Sequence, residues 1–168
     1  MSRDRADRAR GALLGAFVGD ALGMPFEGMP PASIPERVEM ENARRGRGTY
    51  TDDTQMTIAL AESLVEHGSV DVDRLGRAFV DACDLERGYG AGTLRALGLI
   101  RAGVPPLEAA ARSFGGRGSL GNGAAMRVAP VAVAFAADPA RVRAQAELSA
   151  LVTHAHPVGI DAACVQAA

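Results

Sequence analysis

Apolar residues in this chain recur at the three- and four-residue spacing of an α-helix, and this periodicity constrains the fold more than any other feature. In one segment Met56, Ala59, Leu60 and Leu64 fall on a single helical face. Short stretches rich in glycine and proline separate such segments, and none of them alternates apolar and polar residues as a half-exposed strand does. Aromatic residues make up only 4% of the sequence, which also disfavours a β-sandwich. The sequence therefore predicts a single all-α domain over residues 1–168.

Capping signals refine the helix boundaries. We expect Asp52 and Gln55 to form a capping box, Asp138 and Pro139 to begin a helix, and Pro130 to interrupt or kink another. The predicted helices cover residues 4–22, 52–66, 72–84, 93–101, 106–114, 124–135, 139–151 and the C-terminal segment after residue 157.

Composition excludes several classes of function. A formal net charge of −2 argues against general nucleic-acid binding. The sequence has no apolar run of about 18 residues, so we expect no membrane span. Acidic residues among the N-terminal arginines are not typical of a secretory signal.

Cys83 and Cys164 lie far apart, as expected for reduced thiols. We expect a cytoplasmic protein.

Two adjacent carboxylates, Asp52 and Asp53, begin the second predicted helix. They repel each other, and the helix dipole offsets only part of that repulsion. A hard divalent cation would offset more, and Thr51 could add another oxygen ligand. Ordinary helix capping remains the alternative.

Two further segments could carry chemistry. Glu27 lies in a loop bounded by proline and glycine after the first helix, where it could act as a general base or remain a solvated surface residue. The glycine-rich segment 115–123 precedes a helix, so its backbone N–H groups could bind an anion such as phosphate, with Ser119 and Asn122 as additional donors. It lacks the P-loop pattern, and a flexible turn is the alternative.

The pair His154 and His156 lacks the spacing of helical zinc ligands.

Glycine recurs at every fourth position along the first predicted helix, at Gly11, Gly15, Gly19 and Gly23. Glycine costs a helix about 1 kcal/mol relative to alanine, so a stripe of this kind indicates close approach by another group. We expect a packed helix rather than a ligand.

Four segments, in this order, resemble the ADP-ribosylglycohydrolase family, which includes dinitrogenase reductase-activating glycohydrolases and ADP-ribosyl-acceptor hydrolases. They are RGALLGAFVGDALGMPFEG, YTDDTQMTIALAESL, GSLGNGAAMRVAPVA and THAHPVGIDAA. The resemblance covers most of the chain, from Arg10 to the last residue. The resemblance implies a compact orthogonal helical bundle. It also implies hydrolysis of the glycosidic bond between ADP-ribose and a modified protein side chain, or a related ADP-ribosyl compound.

The resemblance further implies roles for individual residues. Thr51, Asp52 and Asp53 would form the first half of a site for two Mg²⁺ or Mn²⁺ ions, and Glu27 and Asp53 would be catalytic. The substrate-binding residues would be Gly118, Ser119, Gly121, Asn122, Gly123, Met126 and His154.

One departure from the family pattern concerns the metal site. Family members carry a second acidic motif of the form G-D-x-D-T near the C-terminus, and here Asp161 is the only acidic residue after Glu147. We therefore expect the chain to be the N-terminal portion of a longer domain, incomplete at its C-terminus, and inactive or nearly so alone. The alternatives are a non-catalytic ADP-ribose- or nucleotide-binding module, a half-enzyme that needs a complementing C-terminal chain, and a remnant that self-associates through uncovered apolar faces.

Overall fold

The computed structural model describes residues 3–43 and 45–168, and α-helices dominate this part of the chain. The helices are α1 (Arg3–Gly23), α2 (Asp52–His67), α3 (Val72–Ala82), α4 (Ala91–Arg101), α5 (Pro106–Ala111), α6 (Ala129–Phe135), α7 (Pro139–Leu151) and α8 (Pro157–Ala167). The all-α prediction is confirmed. In the same described ranges, no helix has the length and apolar character that crossing a membrane requires.

Short elements fill the connections. Two two-residue strands that the sequence did not predict, β1 (Asn42–Ala43) and β2 (Gly46–Arg47), pair antiparallel between α1 and α2. The 3₁₀ helices are Met24–Phe26, Pro31–Ser33, Leu85–Arg87, Ser113–Gly116 and Asn122–Ala124.

The core forms around α2, which packs against α1, α3 and α6. The predicted apolar face of α2 is buried, as its periodicity indicated: Met56, Ala59, Leu60, Ser63 and Leu64. The main apolar cluster joins this face to residues of α3, α4, α6 and α7. Burial of the α2 face thus fixes the position of its N-terminus, where the two acidic residues lie.

Some of the expected helix ends are confirmed and others are not. Asp138 caps α7 by accepting a hydrogen bond from the Arg141 N–H at 3.1 Å, as predicted. The capping box at Asp52 is wrong: Thr51 is the N-cap of α2, and its Oγ1 accepts from the Asp53 N–H at 3.3 Å. Gln55 Oε1 instead accepts hydrogen bonds from the Tyr89 hydroxyl at 3.0 Å and the Asp84 N–H at 3.3 Å, in the segment that precedes α4.

The predicted helix over 124–135 divides into two elements. A 3₁₀ turn ends at Ala124 and α6 begins at Ala129. Pro130 therefore lies in the first turn of α6, where a missing N–H costs nothing, and it causes no kink. The predicted helix over 106–114 also ends early, because Phe114 (φ 51°) and Gly115 (φ 68°) are left-handed.

The glycine stripe of α1 does not pack as expected. A Cβ added at Gly11, Gly15, Gly19 or Gly23 would meet no atom within 4 Å among the described residues. Within this part of the chain, the prediction that a helix packs against the stripe is wrong.

Candidate functional site

One cavity of about 430 Å³ brings together most of the predicted site residues. Its lining includes nine of them: Glu27, Asp52, Asp53, Ser119, Gly121, Asn122, Gly123, Met126 and His154. Thr51 and Gly118 are not part of this lining. Residues up to 127 positions apart in sequence thus face one space, since the lining extends from Glu27 to His154.

The acidic end of the cavity is built on Asp20, a residue that the sequence did not single out as functional. Its carboxylate accepts hydrogen bonds from the Thr51 N–H (3.0 Å) and Oγ1 (2.8 Å), and from the Thr54 N–H (3.1 Å) and Oγ1 (2.6 Å). Asp20 of α1 therefore satisfies free N–H groups of the first turn of α2. The Thr51 side chain is fully buried, and its hydroxyl is used in this network.

Asp52 and Asp53 lie in an environment that disfavours their charged forms. Burial raises the pKa of Asp52 to about 7, with further contributions from Asp53, Glu27 and Asp20. Burial also raises the pKa of Asp53, and the nearby Asp20 carboxylate adds to the effect. Clustered carboxylates that are costly to ionise are typical of sites where a cation supplies the missing positive charge.

These residues fit a divalent cation in chemistry but not in number. Carboxylate oxygens are the ligands that Mg²⁺ and Mn²⁺ prefer. Within residues 3–43 and 45–168, however, no group of three or more His, Cys, Asp and Glu side chains is arranged to hold a metal ion. The described residues therefore offer part of a ligand set.

Glu27 reaches the cavity from the loop that follows α1. It is the C-cap of the 3₁₀ helix Met24–Phe26, and its N–H donates to the Met24 carbonyl at 3.4 Å. The residue is exposed, lines the cavity and contributes to the raised pKa of Asp52. Glu27 and Asp52 are thus close enough to interact electrostatically across the cavity.

The glycine-rich loop follows the turn between α7 and α8 closely. Gly118 has φ 77°, and a Cβ there would lie 2.4 Å from the His156 nitrogen. A Cβ at Gly159 would similarly lie 2.7 Å from the Ser119 carbonyl oxygen. The path of the loop therefore depends on the absence of a side chain at Gly118. Ser119 lines the cavity, and its Oγ accepts a hydrogen bond from the Gly121 N–H at 3.1 Å.

His154 lies beneath this loop with both ring nitrogens in hydrogen bonds. Its Nδ1 is 2.8 Å from Thr153 Oγ1, and its Nε2 is 3.1 Å from the Gly121 carbonyl oxygen. Burial, assisted by the charge of Arg127, lowers the pKa of His154 to about 4. The imidazole is therefore neutral at pH 7. His156 instead caps α8, where its Nδ1 accepts from the Val158 N–H at 3.2 Å.

Two parts of the lining were missed by sequence reasoning. The first is the segment Gly88–Thr93, which includes the first turn of α4. Gly90 is the N-cap of that helix and, as a glycine, has no side chain with which to cap it. The GYGAGT sequence carried the same signal as the later glycine-rich loop, a run of glycines before a helix. The second is Phe114, which is 53% exposed and whose ring packs against Gly92. Its left-handed backbone gave no sequence signal.

Known proteins resemble this chain in sequence over nearly its whole length. A family model described as ADP-ribosylglycohydrolase matches residues 1–168. The chain is 36% identical over 172 residues to ADP-ribosylhydrolase ARH3 of Danio rerio, covering 95% of this chain and 46% of the relative. It is 36% identical over 167 residues to the ADP-ribosyl-[dinitrogen reductase] glycohydrolase of Rhodospirillum rubrum, covering 95% and 55%.

A solved structure shows the same fold. The ADP-ribosylglycohydrolase-related protein complex contains a chain that superimposes with a TM-score of 0.80 at 35% identity, covering 99% of this chain and 56% of the other. The present chain thus spans about half the length of the curated relatives and of the solved chain that it matches.

Proposed function

Because the chain belongs to the ADP-ribosylglycohydrolase family, we propose that it supplies the ADP-ribose site and the first metal ligands of a hydrolase. That hydrolase would release ADP-ribose from a modified protein side chain or a related ADP-ribosyl compound. The observation that carries the proposal is the single cavity into which Glu27, the Asp52–Asp53 pair and the glycine-rich loop all project.

The neutral end of the cavity suits the diphosphate and the sugar. Two glycine-rich segments, Gly88–Gly92 and Gly118–Gly123, lie next to each other there, and the first leads into the N-terminus of α4. Backbone N–H groups at a helix start bind phosphate oxygens without a positively charged side chain. Asn122 is exposed at the rim and can donate to a phosphate or a ribose hydroxyl. The exposed ring of Phe114 offers a face on which a base can stack.

The acidic end suits the reacting ribose. Asp52 and Asp53, with Thr51 beside them, would hold Mg²⁺ or Mn²⁺ through oxygen ligands. When bound, such a cation supplies positive charge next to the ribose hydroxyls and the attacking water. We assign the remaining ligands to residues outside this chain, as the family's second acidic motif implies.

Glu27 would act on the water. In the proposed hydrolysis, a water oxygen bonds to the anomeric carbon while the bond from that carbon to the side-chain nitrogen or oxygen breaks. Glu27 would accept the proton that the water loses, and the leaving group would take up a proton from solvent as it departs. Asp53 would assist by orienting the ribose and the cation.

The first test is calorimetric titration of the 168-residue chain with ADP-ribose, with and without Mg²⁺ or Mn²⁺. We expect binding that tightens with the cation. Asn122→Ala should weaken it about tenfold, the effect of losing one or two hydrogen bonds. Asn42→Ala, a matched exposed asparagine in β1, should bind as the original chain does. Absence of ADP-ribose binding under all these conditions would overturn the proposal.

A second candidate is a non-catalytic ADP-ribose-binding module. It is favoured by one observation: the described residues provide no group of three metal-ligating side chains. Metal-independent binding would support this module. We expect the isolated chain to release little ADP-ribose from an ADP-ribosylated peptide, and clear turnover with Mg²⁺ would contradict an incomplete metal site.

A further inference from the structure

Arg127 is the largest fully buried side chain among the described residues, and it contacts Gly123 of the cavity lining. Its Nη1 donates to the Gly123 carbonyl at 2.9 Å, and its Nη2 donates to the Ser149 carbonyl at 2.7 Å and to Thr153 Oγ1 at 2.9 Å. The guanidinium also lies 4.6 Å from the centre of the Phe79 ring. Burial lowers the pKa of Arg127 to about 9, so the side chain is still charged at pH 7.

These acceptors are all neutral, which is unusual for a buried charge. A buried arginine is costly unless it is well hydrogen-bonded, and here the Nε atom has no hydrogen-bond partner among the described residues. Of its three hydrogen-bond acceptors, the Gly123 carbonyl belongs to the glycine-rich loop, Thr153 Oγ1 to the turn that carries His154, and the Ser149 carbonyl to α7.

The hydrogen bonds beyond Arg127 can have only one direction. A guanidinium only donates, so the Thr153 hydroxyl oxygen accepts from Arg127. At the other end, a carbonyl only accepts, so His154 Nε2 must carry the hydrogen that points to Gly121. Since His154 is neutral, its Nδ1 is bare and accepts the Thr153 hydroxyl hydrogen. The Gly121 carbonyl therefore selects the His154 tautomer that is protonated at Nε2, and the Thr153 hydroxyl, whose oxygen accepts from Arg127, donates its hydrogen to Nδ1.

These bonds act on the loop at two carbonyls. Arg127 binds the Gly123 carbonyl directly, and His154 binds the Gly121 carbonyl. In a planar trans peptide the carbonyl and the following N–H point in opposite directions. Drawing the Gly121 carbonyl toward His154 therefore turns the Asn122 N–H away from the buried side.

Small residues give the imidazole its place. A Cβ at Gly123 would lie 3.1 Å from His154 Cε1, and a Cβ at Gly159 would lie 3.1 Å from His154 Cδ2. The ring is thus enclosed by two glycines, with both nitrogens used by protein groups. This leaves His154 no free nitrogen with which to bind a substrate.

We propose that Arg127, Thr153 and His154 form a positioning relay that holds the glycine-rich loop in its anion-binding shape. This assigns His154 a positioning role, in place of the direct substrate contact that the family resemblance implied. The inference rests on the proposed ADP-ribose site for its functional consequence, but its geometry can be tested without a ligand.

The first measurement is the tautomer of His154 in the 168-residue chain, read from the ¹⁵N chemical shifts of its ring. We expect a single neutral form protonated at Nε2. A ring protonated at Nδ1 would overturn the relay.

The second measurement compares variants of the same helix end. Thr153→Val removes the hydroxyl while keeping the shape, Thr153→Ser restores it, and Ser149→Ala removes another buried hydroxyl, which donates to the Ala146 carbonyl outside the relay. We expect Thr153→Val to weaken ADP-ribose binding about tenfold. Thr153→Ser and Ser149→Ala should stay within about twofold of the original chain. Equal binding by Thr153→Val would overturn the proposal.

Amide exchange separates this inference from the proposed function. Thr153→Val should increase the rate of hydrogen exchange at the backbone amides of residues 121 to 124 about tenfold more than Ser149→Ala does. The reason is that His154, which binds the loop at the Gly121 carbonyl, loses its hydrogen bond to the Thr153 hydroxyl. If the original chain does not bind ADP-ribose, the proposed function fails, and this comparison still decides the relay. Equal exchange in the two variants would show that no relay holds the loop.

Discussion

Replacing Asp52 by asparagine tests whether the acidic pair is a helix cap or a charge-binding site. Asparagine preserves the shape of the side chain and removes its charge. If Asp52 only assisted the start of α2, this loss would destabilise the fold by roughly 0.3–1 kcal/mol, the usual value of a carboxylate near a helix N-terminus. The structure predicts the opposite sign, because burial and the neighbouring acids raise the pKa of Asp52.

The magnitude follows from the difference between the folded and unfolded states. The pKa of Asp52 is raised from its ordinary value of 3.8 to about 7, so between these values the folded chain binds more protons than the unfolded chain. The contribution of Asp52 to stability is therefore greatest below pH 4 and is lost as pH rises toward 7. At about 1.4 kcal/mol for each tenfold change in the ionisation constant, the loss is at most about 4 kcal/mol.

The assay is urea unfolding of the original chain and Asp52→Asn in EDTA at several pH values. We expect equal free energies of unfolding near pH 4. Above pH 7 the variant should be more stable, by about 1–4 kcal/mol. Mg²⁺ or Mn²⁺ should then stabilise the original chain and not the variant. A variant that is less stable than the original chain at pH 8 without metal would refute this reasoning and favour simple capping.

Substitutions at three further positions test how the site is supported, each by urea unfolding. Gly118→Ala should destabilise the fold by at least about 2 kcal/mol, because its φ is 77° and the new methyl would clash with the His156 backbone; an unchanged midpoint would contradict the close approach. Asp20→Ala should cost about 3 kcal/mol, since it leaves four donors of the α2 start without their acceptor; Asp20→Asn should recover part of the loss. Gln55→Leu should cost about 1–2 kcal/mol, because Gln55 Oε1 accepts from the Tyr89 hydroxyl at 3.0 Å, and a neutral effect would show that this bond does not hold the loop before α4.

Helices and their faces were predictable because their causes are local. The buried face of α2 follows from a repeat within one segment, and the Asp138–Pro139 start of α7 follows from neighbouring residues. Errors occurred where a distant residue decided the outcome. Gln55 was free to serve the loop before α4 because Thr51 capped α2, and Thr51 itself is held by Asp20 from another helix.

The sequence by itself determined the helical class, the acidic pair, the glycine-rich loop and the family resemblance, since each is carried by residue types at short spacing. Only the tertiary structure decided that Glu27, Asp53 and Asn122 share one cavity, that Asp20 supports the acidic end, and that the α1 glycine stripe meets no described residue. It also decided the state of His154. A residue type fixes what a side chain can donate or accept, but its partners, burial and charge depend on segments that approach it only after folding.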